Sequence, residues 1–222
     1  MITKSKIFEV YEEKRKRNTI LHTKNLTPGK SLYGERLVRE GSDEYREWDP
    51  NRSKLASIIM KGCQNIFLRR EDVVLYLGAA SGTTASHVSD IVSEGFVFSL
   101  DFAPRVVRNL YFLCLERENM APILADAHFP ESYKDRITNI DFIYQDIAQK
   151  DQVEIFLKNC RMFLKDKGFA MLAVKARSMD VTKKPKQIFL EVQAKLEKAL
   201  TIVDSKELAP YQMDHMMFVC KK

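Results

Sequence analysis

Two glycines after an apolar run mark the first place where this chain could bind a ligand. The run "VVLYLG" leads into Gly78 and Gly82, which permit a tight turn and a close approach of the backbone. Thr83 and Thr84 follow at the predicted start of a helix, where free backbone N–H groups favour an anionic or polar group. The pattern is neither a Walker A loop, because no lysine follows the second glycine, nor GxGxxG. A strand-to-helix turn without a ligand is the alternative.

Carboxylates follow the next three apolar runs. Asp101 ends "FVFSLD" 23 positions after the first glycine (101 minus 78), where dinucleotide-binding folds place the acid that accepts hydrogen bonds from a ribose. Asp126 ends "PILAD", where its side chain and the Ala127 amide could read an adenine edge, and Asp146 and Gln149 follow the fourth run. Each residue alone could instead cap a helix. Four strand ends in agreement favour a nucleoside ligand, and the missing third glycine favours S-adenosylmethionine over a nicotinamide dinucleotide.

These residues would meet if the apolar runs form one parallel sheet. From residue 72 onward such runs alternate with amphipathic segments, which is typical of a parallel sheet covered by helices on both faces. The last section, "KELAPYQMDHMMFVC", offers two short β segments with no helix between them and predicts a reversed final strand. The predicted strands are 73–78, 96–101, 122–126, 140–146, 169–176 and 215–221, and the predicted helices are 83–94, 103–118, 150–167 and 186–203.

The first fifty residues differ from the rest in their pattern of apolar and turn-forming residues. Short β-like runs, "IFEVYEE" and "NTILHTKNL", flank a basic cluster at Lys14 to Arg17 and predict a small β-rich N-terminal domain over residues 1–50. Asp49 with Pro50 then forms a helix start signal, and the apolar residues of "KLASIIM" follow at helical spacing. We therefore expect the main domain to span residues 51–222.

Composition and charge restrict the class of partner. The formal net charge of +6 and the pI near 9.0 are compatible with a polyanionic partner. The four cysteines are too far apart for a local zinc knuckle, and the histidines show no paired ligand spacing, so we predict no metal site. No apolar run approaches the roughly 18 residues of a membrane span, and the N-terminus lacks the apolar core of a signal peptide. These features predict a soluble intracellular protein without a membrane partner.

Five segments of the chain resemble the fibrillarin family, the 2′-O-methyltransferase subunits of box C/D ribonucleoprotein particles. They are "YLGAASGTTASHVSDIV", "PILADAHFPESY", "DFIYQDIAQKDQ", "AVKARSMDVT" and "LAPYQMDHMMFV". The resemblance runs from about residue 20 to the end of the chain, and the lack of a Gly/Arg-rich tail is similar to the archaeal form. It implies an α/β fold of the Rossmann-like, S-adenosylmethionine-dependent methyltransferase type, with a mostly parallel seven-stranded sheet.

The resemblance also implies four catalytic residues: Lys54, Asp146, Lys175 and His215. A ribose 2′-hydroxyl is a poor nucleophile, so its methylation needs a base or strong polarisation of the oxygen. Lys175 is the candidate to orient or deprotonate the hydroxyl, provided that burial or a neighbouring cation lowers its pKa, and Asp146 would hold Lys175 in place. Without the family, Lys54 reads as a solvated helix lysine and His215 equally well as a core histidine. The implied cofactor-binding residues are Gly78, Ala79, Thr83, Thr84, Asp101, Phe102, Asp126, Ala127, Asp146, Ile147, Ala148 and Gln149.

Members of this family act inside a particle, so the resemblance implies partners. They are a Nop-family scaffold protein, a kink-turn-binding subunit resembling a ribosomal protein, a box C/D guide RNA and a target rRNA or tRNA. Basic clusters at Lys14 to Arg17, Arg69 to Arg70 and Lys183 to Lys186 could contact RNA, or could be ordinary exposed charge. Methylation of a protein glutamine and a non-catalytic structural role are the alternatives. We expect a cytoplasmic protein in an archaeal cell, or a nucleolar one in a eukaryote.

Overall fold

The computed structural model describes residues 1–16 and 18–222, which form two β-sheets with helices around the second. Part of the basic cluster predicted at Lys14 to Arg17 therefore lies outside the described residues. The first sheet is antiparallel, with strand order β1-β2-β3-β5-β4. Its strands are β1 (Ile2–Lys4), β2 (Val10–Lys14), β3 (Thr19–Lys24), β4 (Leu37–Glu40) and β5 (Asp43–Trp48). The predicted β-rich N-terminal region is confirmed, while the domain boundary at residue 50 stays a prediction.

The second sheet has seven strands in the order β11-β12-β10-β9-β6-β7-β8. They are β6 (Val73–Leu77), β7 (Phe96–Asp101), β8 (Met120–Leu124), β9 (Ile140–Gln145), β10 (Leu164–Lys175), β11 (Thr201–Glu207) and β12 (His215–Lys221). The five strands from β6 to β10 are parallel, whereas β12 runs antiparallel to both β10 and β11. The predicted parallel sheet with a reversed final strand is confirmed.

Six α-helices connect the strands of the described residues. They are α1 (Lys54–Met60), α2 (Thr83–Ile91), α3 (Pro104–Cys114), α4 (Gln152–Phe163), α5 (Ala176–Met179) and α6 (Pro185–Leu196), with 3₁₀ turns at Pro130–Ser132 and Lys134–Arg136. Within the described ranges, no helix is both long enough and apolar enough to cross a membrane.

All four predicted helices extend past the observed helix ends, and two of them extend into a strand. The helix predicted over 150–167 ends at Phe163, because Leu164 is extended and pairs with Ile140 of β9 as the start of β10. The helix predicted over 186–203 ends at Leu196, and residues 201–203 belong to β11. Residues 201–203 are all β-branched, which favours a strand. This segment also pairs with β12, a contact that the helical pattern could not reveal.

Apolar side chains from successive strand residues pack on opposite faces of the seven-stranded sheet. Tyr76 faces a cluster that includes helices α1, α2 and α3, while Leu75 and Leu77 face a cluster that includes α4 and α6. Burial on both faces explains why these strands read as continuous apolar runs. It also leaves the carboxyl edge of the parallel strands as the place where polar side chains can reach a ligand.

A buried ion network joins the N-terminal sheet to helix α2. Arg46 of β5 donates to Asp90 of α2 and to Glu35, each at 2.8 Å, and Arg117 also donates to Asp90 at 2.8 Å. The side chains of Arg46, Arg117, Asp90 and Glu35 are each at most 1% exposed. Burial, and then the charges of Arg46 and Arg117, hold the pKa of the adjacent His87 well below its usual value. The network therefore contains two cations and two anions beside a neutral histidine.

Candidate active site

A cavity of about 280 Å³ opens at the carboxyl edge of the parallel strands, beside β6. The chain continues from β6 through β7 to β8 on one side of the sheet and returns to β9 on the other, so the strand order reverses at β6. Ligands bind at such reversal points in open α/β sheets. The cavity is lined by Gly78, Ala80, Leu100, Asp101, Phe102, Asp126, Ala127, His128, Asp146, Ile147, Ala148, Gln149 and Ile155.

The turn after β6 packs directly against the loop after β9. Gly78 has φ +80°, and a Cβ there would overlap the carbonyl oxygen of Asp146. The amides of Gly78 and Ala79 both donate to the carbonyl of Leu100, at 2.9 and 3.0 Å. Gly78 therefore allows the backbone to approach the loop that carries Asp146. This contact brings the ends of β6, β7 and β9 together.

Asp101 ends β7 at the wall of the cavity and is 9% exposed. Its two carboxylate oxygens accept hydrogen bonds from the amides of Ala80 at 2.9 Å and Ala103 at 3.0 Å. These bonds fix the carboxylate, and each oxygen keeps accepting capacity for a ligand hydroxyl. The geometry suits the predicted contact with a ribose, and exposed Phe102 lies beside it at the rim.

The loop after β8 holds an unpredicted residue of the cavity, His128. Its Nδ1 lies 2.7 Å from Asp126 and its Nε2 lies 2.9 Å from Asp151, so the ring donates to both carboxylates when it is protonated. Burial lowers the pKa of His128, but the hydrogen bond to Asp126 and the charges of both carboxylates raise it more, and the net shift is upward. For Asp126, burial raises the pKa. The hydrogen bonds from the His128 amide and ring lower it more, and the net shift of the Asp126 pKa is downward. The pair fixes Asp126 in the wall of the cavity, and its contact with an adenine edge stays a prediction.

Lys54 and Asp146 form an ion pair beside this cavity. Helix α1 buries Leu55 and Ile58 and is capped by Ser53, which leaves Lys54 on the outer side of its first turn. The Lys54 ammonium donates to an Asp146 carboxylate oxygen at 2.7 Å, and the two side chains are 20% and 23% exposed. The sequence predicted that Asp146 holds Lys175 in place, whereas the ion-pair partner of Asp146 among the described residues is Lys54, 92 positions earlier in the chain.

Lys175 and His215 lie opposite each other at the same edge. The antiparallel ladder between β10 and β12 pairs Lys175 with His215, so the first residue of β12 meets the last of β10. Lys175 is exposed, and the burial invoked to remove its proton is not present. His215 is 9% exposed and its Nδ1 lies 2.6 Å from the Met213 carbonyl, which makes Nδ1 the donor and leaves the Nε2 lone pair free in the neutral ring.

Besides burial, the charges of the other three predicted catalytic residues all affect the pKa of His215. Burial lowers this pKa, the Met213 carbonyl and the Asp146 charge raise it, and the charges of Lys54 and Lys175 lower it, with a net downward shift. A neutral His215 is therefore the dominant form at neutral pH. All four side chains meet at the edge formed by β9, β10 and β12, as the resemblance implied, although their catalytic roles stay predictions.

Three predicted cofactor-binding residues lie outside the cavity wall. Ala79 is turned into the core, and Thr84 is buried with its hydroxyl donated to Ser53 at 3.1 Å. Thr83 lines a separate cleft beside Phe112 of α3. The turn carries the chain away from the cavity after Ala80, which the sequence did not reveal. Sequence reasoning also missed the lining residues Ala80, Leu100, His128 and Ile155, and only His128, two positions after Asp126, offered a chemical signal.

Each of the three basic clusters has one described side chain that pairs within the protein, namely Arg15, Arg70 and Lys183. Arg70 bonds to Glu9 and Glu94, at 2.9 and 3.3 Å, and Lys183 bonds to Glu191 at 2.8 Å. Such pairs make these side chains ordinary surface ion pairs, of modest value to stability. Within the described ranges, no group of three His, Cys, Asp or Glu side chains is placed to hold a metal ion.

A seven-stranded sheet with a reversed last strand and a nucleoside-sized cavity at its reversal point defines the class, an S-adenosylmethionine-dependent methyltransferase fold. The Fibrillarin family model matches residues 1–222, and the chain belongs to the fibrillarin family. It is 49% identical over 223 residues to the fibrillarin-like rRNA/tRNA 2′-O-methyltransferase of Sulfolobus acidocaldarius, covering 99% of this chain and 96% of that one.

Two solved structures are similar over nearly the whole length. Aeropyrum pernix fibrillarin, solved with natively bound S-adenosyl-L-methionine, matches with a TM-score of 0.89 at 42% identity, covering 99% of this chain and 97% of that one. A chain of a fibrillarin/Nop5p complex matches with a TM-score of 0.88 at 42% identity, covering 96% and 97%.

Proposed function

We propose that this chain is an S-adenosylmethionine-dependent methyltransferase that modifies ribose 2′-hydroxyls in rRNA and tRNA. The observation that carries the proposal is the meeting of Lys54, Asp146, Lys175 and His215 at one sheet edge, beside a cavity suited to a nucleoside. The activity named for its 49% identical relative supports the same reaction.

The residues of the cavity fit S-adenosylmethionine. Asp101 retains acceptors for the two ribose hydroxyls, and Asp126 with the Ala127 amide faces the position of a base. Leu100 and Ile147 supply apolar contacts of the kind that bury a purine. When bound, the cofactor supplies an electrophilic methyl group on a sulfonium. Asp146 and its loop would hold the part of the cofactor nearest the catalytic residues.

Three side chains of the protein have separate roles in activating the 2′-hydroxyl. Neutral His215 offers the free Nε2 lone pair, which makes it the side chain best prepared to accept the hydroxyl proton. Lys175, exposed at the strand end, orients the oxygen and stabilises the negative charge that develops as the proton leaves. Lys54 holds the Asp146 carboxylate in place through their 2.7 Å ion pair. This assignment places the base on His215 and the electrostatic role on Lys175.

The partners of the reaction are part of the proposal. A Nop-family scaffold is supported by the similar chain solved with Nop5p. A kink-turn-binding subunit, a box C/D guide RNA and a target RNA follow from the particle in which the family acts, and the net charge of +6 favours an RNA partner. The archaeal origin of the similar proteins supports a cytoplasmic location.

We propose that the scaffold contacts the outer face of α3, which we define as Arg105, Arg108, Tyr111, Phe112 and Leu115. The last three are 49%, 54% and 65% exposed, and neither arginine has an ion-pair partner among the described residues. Exposed aromatic and arginine side chains together are typical of protein interfaces, and the free cations favour an acidic partner surface.

Substitution on this face tests the scaffold contact. A double variant, Phe112→Ser with Leu115→Ser, should weaken binding of a purified Nop-family scaffold at least tenfold. Leu190→Ser, equally exposed at 59% on α6, is the matched control and should bind normally. Equal affinities for the two proteins would place the scaffold elsewhere.

The catalytic proposal is tested by radiolabelled methyl transfer in a particle reconstituted with guide RNA and both partner proteins. We expect the isolated chain to be nearly inactive, and the particle to label one ribose 2′-oxygen of the target. Lys175→Ala should lower the single-turnover rate by roughly 100-fold, while Lys198→Ala, on the distant surface, should leave it unchanged. Label on a protein glutamine would favour the alternative substrate, and an absence of cofactor binding would favour a structural subunit.

A further inference from the structure

A buried glutamine outside the predicted site connects the cofactor loop to the strand that carries Lys175. Gln152 is the first residue of α4 and has no exposed surface. Its Oε1 accepts a hydrogen bond from the Lys175 amide at 3.2 Å, and its Nε2 donates to the Gln149 carbonyl at 2.8 Å. One side chain thus bonds to the backbone on both sides of the reaction site.

The sheet itself cannot supply the bond that Gln152 makes to Lys175. The parallel ladder between β9 and β10 has its last pair at Gln145 and Leu172, three residues before Lys175. Beyond that pair β10 continues with a ladder on one side only, to β12. The Gln152 side chain takes the place of the missing strand and gives the Lys175 amide a partner on that side.

A second buried glutamine holds Gln152 in register. Gln145, the last residue of β9 and the neighbour of Asp146, donates from Nε2 to the Gln152 carbonyl at 2.6 Å and is fully buried. The end of β9, the start of α4 and the end of β10 are therefore connected by side-chain amides. The positions of Asp146, Gln149 and Lys175 cannot change independently while these bonds persist.

We propose that Gln152 is a positioning residue, which sets the distance between Lys175 and the cofactor loop and so aligns the substrate oxygen with the methyl donor. The inference rests on the proposed function. Displacement of reacting groups by about 1 Å costs on the order of 100-fold in rate. Gln152→Leu, which keeps the size and removes both bonds, should lower the single-turnover methyl-transfer rate of the reconstituted particle by roughly 10- to 100-fold at saturating cofactor.

The isosteric variant Gln152→Glu separates positioning from simple folding. A protonated carboxyl has one donor and one acceptor, so it can reproduce both bonds, whereas the ionised form lacks the donor to Gln149. Burial favours the protonated form. The rate of this variant, divided by the wild-type rate at each pH, should therefore rise as the pH falls from 9 to 6. Division by the wild-type rate removes the pH dependence that the two particles share, including that of His128 and His215.

The controls distinguish the possible failures. Gln193→Leu removes a comparable amide that bonds only to Glu197 on the surface of α6, and should keep the wild-type rate. A wild-type particle that transfers no methyl group would refute the proposed function. An active wild-type particle with a Gln152→Leu rate within twofold of it would refute only the positioning role. If the leucine variant does not fold, a pH-independent rate ratio for Gln152→Glu would refute it equally.

Discussion

Asp90 holds the charge balance of the buried network, and its replacement by asparagine should strongly destabilise the fold. Its carboxylate accepts hydrogen bonds from Arg46, Arg117, Thr23 and the amide of Leu26. An asparagine has nearly the same shape but carries no charge, and its NH₂ group would face donors. Among the described residues, Arg46 would then keep only Glu35 as a carboxylate partner, and Arg117 would keep none. Loss of one member of a buried ion pair costs about 3–5 kcal/mol, which for a chain of this size lowers the melting temperature by roughly 6–20 °C.

The single tryptophan makes this loss measurable. Trp48 is fully buried and stacks on His87 with ring centroids 4.9 Å apart, so its fluorescence reports on the network. Guanidinium chloride unfolding of Asp90→Asn should move to a much lower midpoint with a similar slope. Asp135→Asn, an exposed aspartate on a 3₁₀ turn, is the matched control. A loss below about 1 kcal/mol, equal to that of the control, would refute the claim that the network bears on stability.

Three further predictions concern the cavity. The raised pKa of His128 stabilises the fold fully below its unfolded value of 6.5, and this contribution is lost as the pH rises through the folded value. With carboxylate partners 45% and 49% exposed, we expect about 1 kcal/mol, seen by scanning calorimetry as a melting temperature that falls at alkaline pH and that falls less in His128→Gln. Asp101→Asn should weaken cofactor binding, measured by titration calorimetry, by roughly 10- to 100-fold, because a charged acceptor of hydroxyls is lost; unchanged affinity would remove Asp101 from the ribose contact. Lys54→Met should slow methyl transfer by about tenfold with little change in melting temperature, and a normal rate would contradict the role of the Lys54–Asp146 pair.

Local sequence patterns predicted where the strands lie, but not which side chains pair with the polar residues that follow them. The apolar runs that became β6, β7, β9 and β12 begin where predicted, because burial on both faces leaves a continuous signal in the chain. The family resemblance supplied the four residues that are predicted to be catalytic. The pairing of Asp146 with Lys54, by contrast, depends on how α1 packs between the two sheets, and no spacing along the chain encodes that packing.

The same limit explains the other misses. His128 showed no paired ligand spacing, yet it bonds to Asp151 from a different loop. Thr83 and Thr84 follow the glycine turn as expected, but the path of the turn carries them away from the cavity. Sequence patterns report which residues are buried or turn-forming, whereas the direction of a side chain after a turn is set by elements distant in the chain.

The reversed direction of β12 has a consequence for how such a site can change during evolution. A parallel strand offers its last residues to the catalytic edge, and its chain must then leave through a crossover. Because β12 is antiparallel, it offers its first residue, and seven ladder pairs with β10 hold His215 opposite Lys175. The stretch 209–212 of the connection between β11 and β12 can therefore gain or lose residues while the ladder and the Met213 carbonyl hold the histidine in place. Variation in this loop can reshape the surface beside the site while Lys175 and His215 stay in register.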